Sequence, residues 1–173
     1  VIDNKIKKTY VNYYKIDKKC LENRKYENFI SFINQNPDTP IVQMDTVEGT
    51  KGGKVLLTIH FVNCSFMLAY IRDNNDSKSV IDIFNNIQKL VEIDKFKELF
   101  PVILTDNGSE FSNPTKIEFD MKTGELRTKI FYCHPSSPFE KGACEVNHEL
   151  LRRILPKGES LDNLAQEDIN LIM

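Results

Sequence analysis

The chain has 173 residues, 40% of them hydrophobic and 28% charged, with a net charge of −2, a composition that suits one globular domain with its own core. It excludes a bilayer span, which would need about 20 consecutive apolar residues, shows no signal peptide, and carries no bulk positive charge of the kind that advertises nucleic-acid binding. Cys20, Cys64, Cys133 and Cys144 are scattered without a C-x-x-C pair, and there are three histidines; reduced cytoplasmic thiols are expected, not a disulfide framework or a zinc module.

Charge is unevenly placed. Residues 1–30 hold eight Lys/Arg against four acids, net +4, leaving 15 basic and 21 acidic residues beyond them. Residues 1–40 therefore read as a basic arm or linker with Tyr10, Tyr13, Tyr14 and Tyr26 interleaved. Such an arm suits a phosphate backbone, or a solvated surface equally well. Asn36-Pro37-Asp38-Thr39-Pro40 is a turn cluster that closes the arm. Ile41 to Thr46 and Lys54 to Val62 are β-rich with glycines between them, and Phe66 to Arg72 adds a third strand. From Ser77 to Glu92 the apolar spacing is helical, with Ser77 offered as N-cap. Val102-Ile103-Leu104-Thr105 is a short apolar run, as in a strand covered on both faces. Ser112 to Arg127 is polar and turn-rich and reads as an excursion. Lys129 to Tyr132 is a further strand. A Pro-rich loop follows, then a helix from about Lys141 to Leu155, and another after Ser160. The order predicts an α/β fold with a five-stranded mixed sheet, three antiparallel strands and then two more, flanked by helices. The start at Val1 and the end inside an apparent helix are what an excised fragment would show.

Three acids stand out by position. Asp45 lies within a strand, Asp106 ends one, and Glu145 starts a helix. An acid in a β-run is disfavoured and costly to bury alone, and Asp106 by itself reads as a turn former, a metal ligand or a general base. Convergent carboxylates repel unless a proton or cation intervenes. Their oxygens suit Mg²⁺ or Mn²⁺, and two such ions about 3.5–4 Å apart can serve phosphoryl transfer. No Walker-type loop is present, which disfavours a nucleotide triphosphate.

Four blocks carry a resemblance: Met44-Asp45-Thr46-Val47-Glu48-Gly49 with Lys51-Gly52-Gly53-Lys54; Leu104-Thr105-Asp106-Asn107-Gly108-Ser109-Glu110-Phe111; Pro135-Ser136-Ser137-Pro138 with Lys141-Gly142-Ala143-Cys144-Glu145-Val146-Asn147; and Leu151-Arg152-Arg153-Ile154-Leu155-Pro156-Lys157-Gly158. In that order they resemble the catalytic core of DDE transposases and integrases, specifically the IS30-like bacterial insertion-sequence transposases, from about residue 25 onward. The resemblance implies an RNase H-like core over 41–173. It implies catalytic and metal-binding roles for Asp45, Asp106 and Glu145, which would hold two Mg²⁺ or Mn²⁺ ions with Asp45 bridging them. It implies phosphodiester hydrolysis and strand transfer on double-stranded DNA, by a homo-oligomer assembled on DNA in the bacterial cytoplasm and associated with the nucleoid. DNA contacts are expected at Arg152, Asn147 and Lys141. The family's N-terminal helix-turn-helix is not visible in residues 1–40. A retroelement-type integrase, a metal-dependent nuclease and a non-catalytic DNA-binding module are the alternatives.

Other residues take smaller roles. Asn107-Gly108 is expected to make the turn that leaves the sheet, and Glu110 and Phe111 to orient and pack that loop. Glu48, Asp73 and Arg153 read as solvent-facing, and Cys133 and Cys144 as packing residues. His148 reads as structural or peripheral, since a di-iron site would need a second such helix pair. His134 stands where relatives often carry Asp. The excursion at 112–127 would absorb a linker between Asp106 and Glu145 that is longer than in many relatives.

Overall fold

The computed structural model describes residues 18–173; the part of the basic arm before Lys18 lies outside the described residues. Five strands form one sheet in the order β3-β2-β1-β4-β5. They are β1 (Ile41–Glu48), β2 (Val55–Phe61), β3 (Phe66–Arg72), β4 (Val102–Thr105) and β5 (Lys129–Tyr132). β1, β2 and β3 are antiparallel neighbours, while β4 and β5 run parallel to β1. The expected mixed sheet is therefore present.

Strand periodicity sorts the side chains onto two faces. On one face Val42, Met44, Leu57, Ile59, Ile103 and Ile130 form a continuous apolar core. Helix α2 (Ser77–Val91) and the shorter α3 (Ile93–Leu99) cover it. Phe84, Phe96 and Phe100 meet there at centroid distances of 4.8 to 6.3 Å, the tilted and edge-on geometry that aromatic rings favour.

The opposite face is divided. Toward β5 it buries Val102, Leu104, Phe131 and Cys133 under Phe29 of helix α1 (Tyr26–Gln35). Toward β3 it buries Val47, Leu56 and Ala69 under Leu151 of α5 (Gly142–Ile154) and Ile169 of α6 (Gln166–Ile172). The polar residues Gln43, Asp45, Thr58 and His60 share this face, between the two apolar patches.

Several expected boundaries shift for local reasons. α1 lies inside the stretch read as arm and packs on the sheet. Asp76, not Ser77, caps α2, its carboxylate accepting from Ser79 N at 2.8 Å. Glu92, with φ 64°, breaks the chain between α2 and α3. The last helix begins at Gln166, six residues later than Ser160 suggested.

The 112–127 stretch is not a loose excursion. It contains α4 (Pro114–Glu118), and its polar residues are ties. Glu118 is buried and accepts from Arg24 Nη2 and Nε, at 2.6 and 2.9 Å, as well as from Ile130 N at 3.1 Å. Arg127 donates to the Ile117 carbonyl and Asn85 at 2.8 Å and lies 5.0 Å from the centroid of the Phe96 ring. The excursion is polar as expected, and its buried charges have partners, as burial requires.

Candidate active site

The site begins with strand register. β1 pairs in parallel with β4 as Ile41 with Val102, Val42 with Ile103, and Gln43 with Leu104. Extended two residues, the same register brings Asp45 beside Asp106 on neighbouring strands, about 4.8 Å apart in the pairing direction. Both point to the divided face, because Gln43 and Asp45 alternate with Met44 and because Leu104 and Asp106 alternate with Thr105. Thr105 Oγ1 donates to the Met44 carbonyl at 3.1 Å and ties the two strand ends together.

Helix α5 crosses above them. Cys144 N donates to Gln43 Oε1 at 2.8 Å, and Asn147 Nδ2 lies 3.0 Å from His60 Nε2. These bonds fix the rotation of the helix, so that Lys141, Cys144, His148 and Leu151 form its inward stripe. Glu145 lies one step around the helix, at the edge of the cleft. Asp45, Asp106 and Glu145 line one cleft of about 290 Å³, together with Asn107, Gly108 and the Pro135–Pro138 loop.

Lys141 holds the centre. Its side chain is 4% exposed, with Nζ 2.8 Å from Asp45 Oδ2 and 3.7 Å from Asp106 Oδ2. The nearer contact is a Coulombic ion pair that falls short of a well-aligned hydrogen bond. Burial alone would depress this amine; the two carboxylates outweigh that effect and leave its pKa raised. Asp106 is pushed up by desolvation first, then by the neighbouring Asp45, against the pull of Lys141 and of the Gly108 N–H at 3.0 Å. Glu145 is also raised, by desolvation and then by Asp45. Lys141, expected to contact DNA, is thus held between two acids beneath the cleft surface.

The remaining site residues fall around this centre. Asn147 faces the sheet, bonded to His60 and to the Ala143 carbonyl, where it can steady α5 more directly than DNA. Arg152 lies two turns beyond Glu145, with Nη2 donating to the Glu48 carbonyl at 2.8 Å. Glu145, His148, Glu149, Arg152, Arg153 and Lys157 line a shallow groove that meets the cleft at Glu145. Glu110 and Phe111 are buried in the loop after Asp106, and the Phe111 carbonyl accepts from Tyr132 Oη. Asn107 Nδ2 reaches the Cys133 carbonyl at 2.8 Å. Gly108 has an ordinary backbone conformation and lies close against the Glu110 side chain. Its φ is −59°, which any residue adopts, but an added Cβ would stand 2.6 Å from the Glu110 carboxylate. His134 sits at the cleft mouth between Glu27 and Glu140, at 2.7 Å from each, and both bonds raise its pKa. His148, read as structural or peripheral, lies close to the centre, with Nδ1 3.8 Å from Asp45 Oδ2 and Nε2 2.8 Å from Thr58 Oγ1. The signal for it was present in the sequence, since Cys144, His148 and Leu151 recur at helical spacing.

The donors suit a hard divalent cation. An ammonium already bridges two carboxylates at ion-pair distance, and oxygen donors of this kind favour Mg²⁺ or Mn²⁺.

The sheet order, with three antiparallel strands, two parallel ones and helices on both faces, is that of the RNase H-like fold. A chain of the simian T-cell lymphotropic virus intasome, solved in complex with the PP2A regulatory subunit B56 gamma, shares this fold at a TM-score of 0.51 and 14% identity. The match covers 78% of this chain and 46% of that one. No family model matches the sequence. The sequence homologues are nevertheless insertion-sequence transposases, IS30 among them. Transposase InsI for insertion sequence element IS30A of Escherichia coli (strain K12) is 27% identical over 132 residues, 74% of this chain and 31% of that protein. The transposase for insertion sequence element IS1086 of Cupriavidus metallidurans is 36% identical over 67 residues, 39% of this chain and 18% of that protein. The chain thus spans less than a third of these curated relatives. Among the described residues no helix is long and apolar enough to cross a membrane.

Proposed function

We propose that this chain is the catalytic core of an IS30-like DDE transposase, a polynucleotidyl transferase that cuts a DNA phosphodiester at an element end and joins the freed 3′-hydroxyl to a second strand. One observation carries this reading above the others. Asp45 and Asp106 are set side by side by parallel register, and Glu145 is brought to the same cleft by α5.

Asp45, Asp106 and Glu145 would hold two Mg²⁺ or Mn²⁺ ions, which when bound supply activation of the attacking oxygen and stabilisation of the leaving one. The protein's own part is to hold three carboxylates together against their mutual repulsion. Lys141 offsets that repulsion at Asp45 and Asp106, the place a bound divalent ion would take over. Rigid strand ends fix Asp45 and Asp106, so the acids do not need to be reoriented for each turnover. Arg152, two turns beyond Glu145 on α5, would meet a DNA phosphate in the groove that leaves the cleft. The Lys-rich arm, with its interleaved tyrosines, supplies sequence-independent attraction to the backbone. Element-end recognition belongs to a separate region, and two such cores working on paired ends account for assembly on DNA.

The test is nicking of supercoiled plasmid in Mn²⁺, with calorimetric Mn²⁺ titration of the same samples. Nicks bearing a 3′-hydroxyl and metal uptake, both lost in Asp106→Asn, are the expected result. Nicking or metal uptake that survives unchanged in Asp106→Asn overturns the assignment. Joining of a supplied 3′-hydroxyl end to plasmid separates a transposase from a simple nuclease.

A further inference from the structure

The three acids leave two chemically different groups unexplained at the same centre. Cys144 and His148 stand four residues apart on the inward stripe of α5, so both side chains point at the sheet from one helix face. Their ligand atoms, Cys144 Sγ and His148 Nε2, are 3.4 Å apart. A tetrahedral zinc site with bonds of about 2.0–2.3 Å puts sulfur and nitrogen ligands roughly 3.5 Å apart. One ligand atom from each of Asp45, Cys144 and His148 lies within 4.8 Å of the others, a grouping found at this place among the described residues. Thr58 Oγ1 closes the back of the space, 2.8 Å from His148 Nε2 and 3.9 Å from Cys144 Sγ. His148 Nδ1 is turned toward Asp45 Oδ2 at 3.8 Å.

We infer that Asp45, Cys144 and His148 form a second metal site, selective for zinc-class cations and competing with the Mg²⁺ site through Asp45. Thiolate and imidazole donors prefer Zn²⁺ or Co²⁺, whereas the Asp45, Asp106 and Glu145 set offers oxygen alone. Binding converts the Cys144 thiol to a thiolate and releases its proton to solvent. Water from the cleft completes the fourth position. A zinc-class ion on Asp45 draws on the same carboxylate that the Mg²⁺ site uses and sets a second positive charge beside it, so zinc uptake weakens Mg²⁺ binding and the chemistry that depends on it. That regulatory consequence rests on the function proposed above; the site itself does not.

Cobalt titration tests the site without any activity assay. In a Cys64→Ser background, which removes the exposed thiol, stoichiometric Co²⁺ is expected to give a thiolate-to-cobalt charge-transfer band that Zn²⁺ abolishes. Cys144→Ser should eliminate the band. His148→Asn, the second probe should the buried Cys144→Ser fail to fold, should weaken cobalt binding by at least about tenfold. Asp106→Ala should keep the band. No band in the background protein, or a band unchanged in Cys144→Ser and His148→Asn, overturns the site. Zinc that binds yet leaves Mg²⁺-dependent nicking intact overturns the competition. Loss of Mg²⁺ chemistry as a whole, with the cobalt band present, would count against the proposed function and leave the zinc-class site standing.

Discussion

The two faces of the sheet obey different rules. The face under α2 and α3 is built from apolar side chains that meet without interruption, with Phe84 and Phe96 fully buried. The face under α5 carries the carboxylates, a buried lysine and two histidines in a gap between apolar patches. One side is selected for packing; the other retains desolvated charge that an apolar replacement would remove. Stability and chemistry are therefore separable, and substitutions on the two faces should move different observables.

The largest effect is expected at Phe84→Ala. Truncating this buried ring should cost about 3–5 kcal/mol in urea unfolding while leaving the residual folded population with its Mn²⁺ affinity. Asp106→Asn should do the reverse. Losing a partner beyond the ligand shell costs a metal site roughly 10–100-fold, so losing a ligand should lower nicking by more than about 100-fold. Its stability at neutral pH should equal or exceed that of the parent, because the folded protein raises the Asp106 pKa and thus disfavours its charge. An Asp106→Asn variant that unfolds at lower urea would break the contrast between the faces.

Lys141→Met comes next. It removes the cation between Asp45, 13% exposed, and Asp106, 46% exposed. A loss of about 2–3 kcal/mol is expected, below the range for a fully buried pair because Asp106 meets solvent. Added Mg²⁺ should recover part of that loss and bind more tightly than to the parent, as thermal melts at several Mg²⁺ concentrations would show. The smallest effect belongs to His134. Its pKa is raised by Glu140 and Glu27, so its contribution is fully present below the unfolded value of about 6.5 and is lost as pH rises through the folded value. The melting-temperature gap between parent and His134→Gln should therefore narrow as pH increases across that window. A gap that widens with pH would show that the bridge to Glu27 and Glu140 is not charged.

Legibility in the sequence follows the same division. Alternation in β1 and the continuous apolar run of β4 reported the sheet, because burial on one or both faces leaves a period that can be read directly. Asp45 and Asp106 were legible because acids violate that pattern. The short helices α3 and α4 were not, since seven and five residues give too little periodicity and Glu92 breaks the chain with a left-handed φ. The inward turn of Lys141 could not be read either. A lysine beside a glycine looks like surface until two carboxylates from distant strands are known to meet it. Glu118 and Arg127 escaped for the same reason, since their partners Arg24 and Asn85 are 94 and 42 residues away.

The parallel register that joins Gln43 to Leu104 also acts as a safeguard. Side chains alternate with a period of two, so a slip of one residue between β1 and β4 sends Asp106 through to the hydrophobic side, away from Asp45. A copy with slipped strands would thus lack the paired carboxylates, and the cleft is completed only in molecules whose central strands have paired correctly.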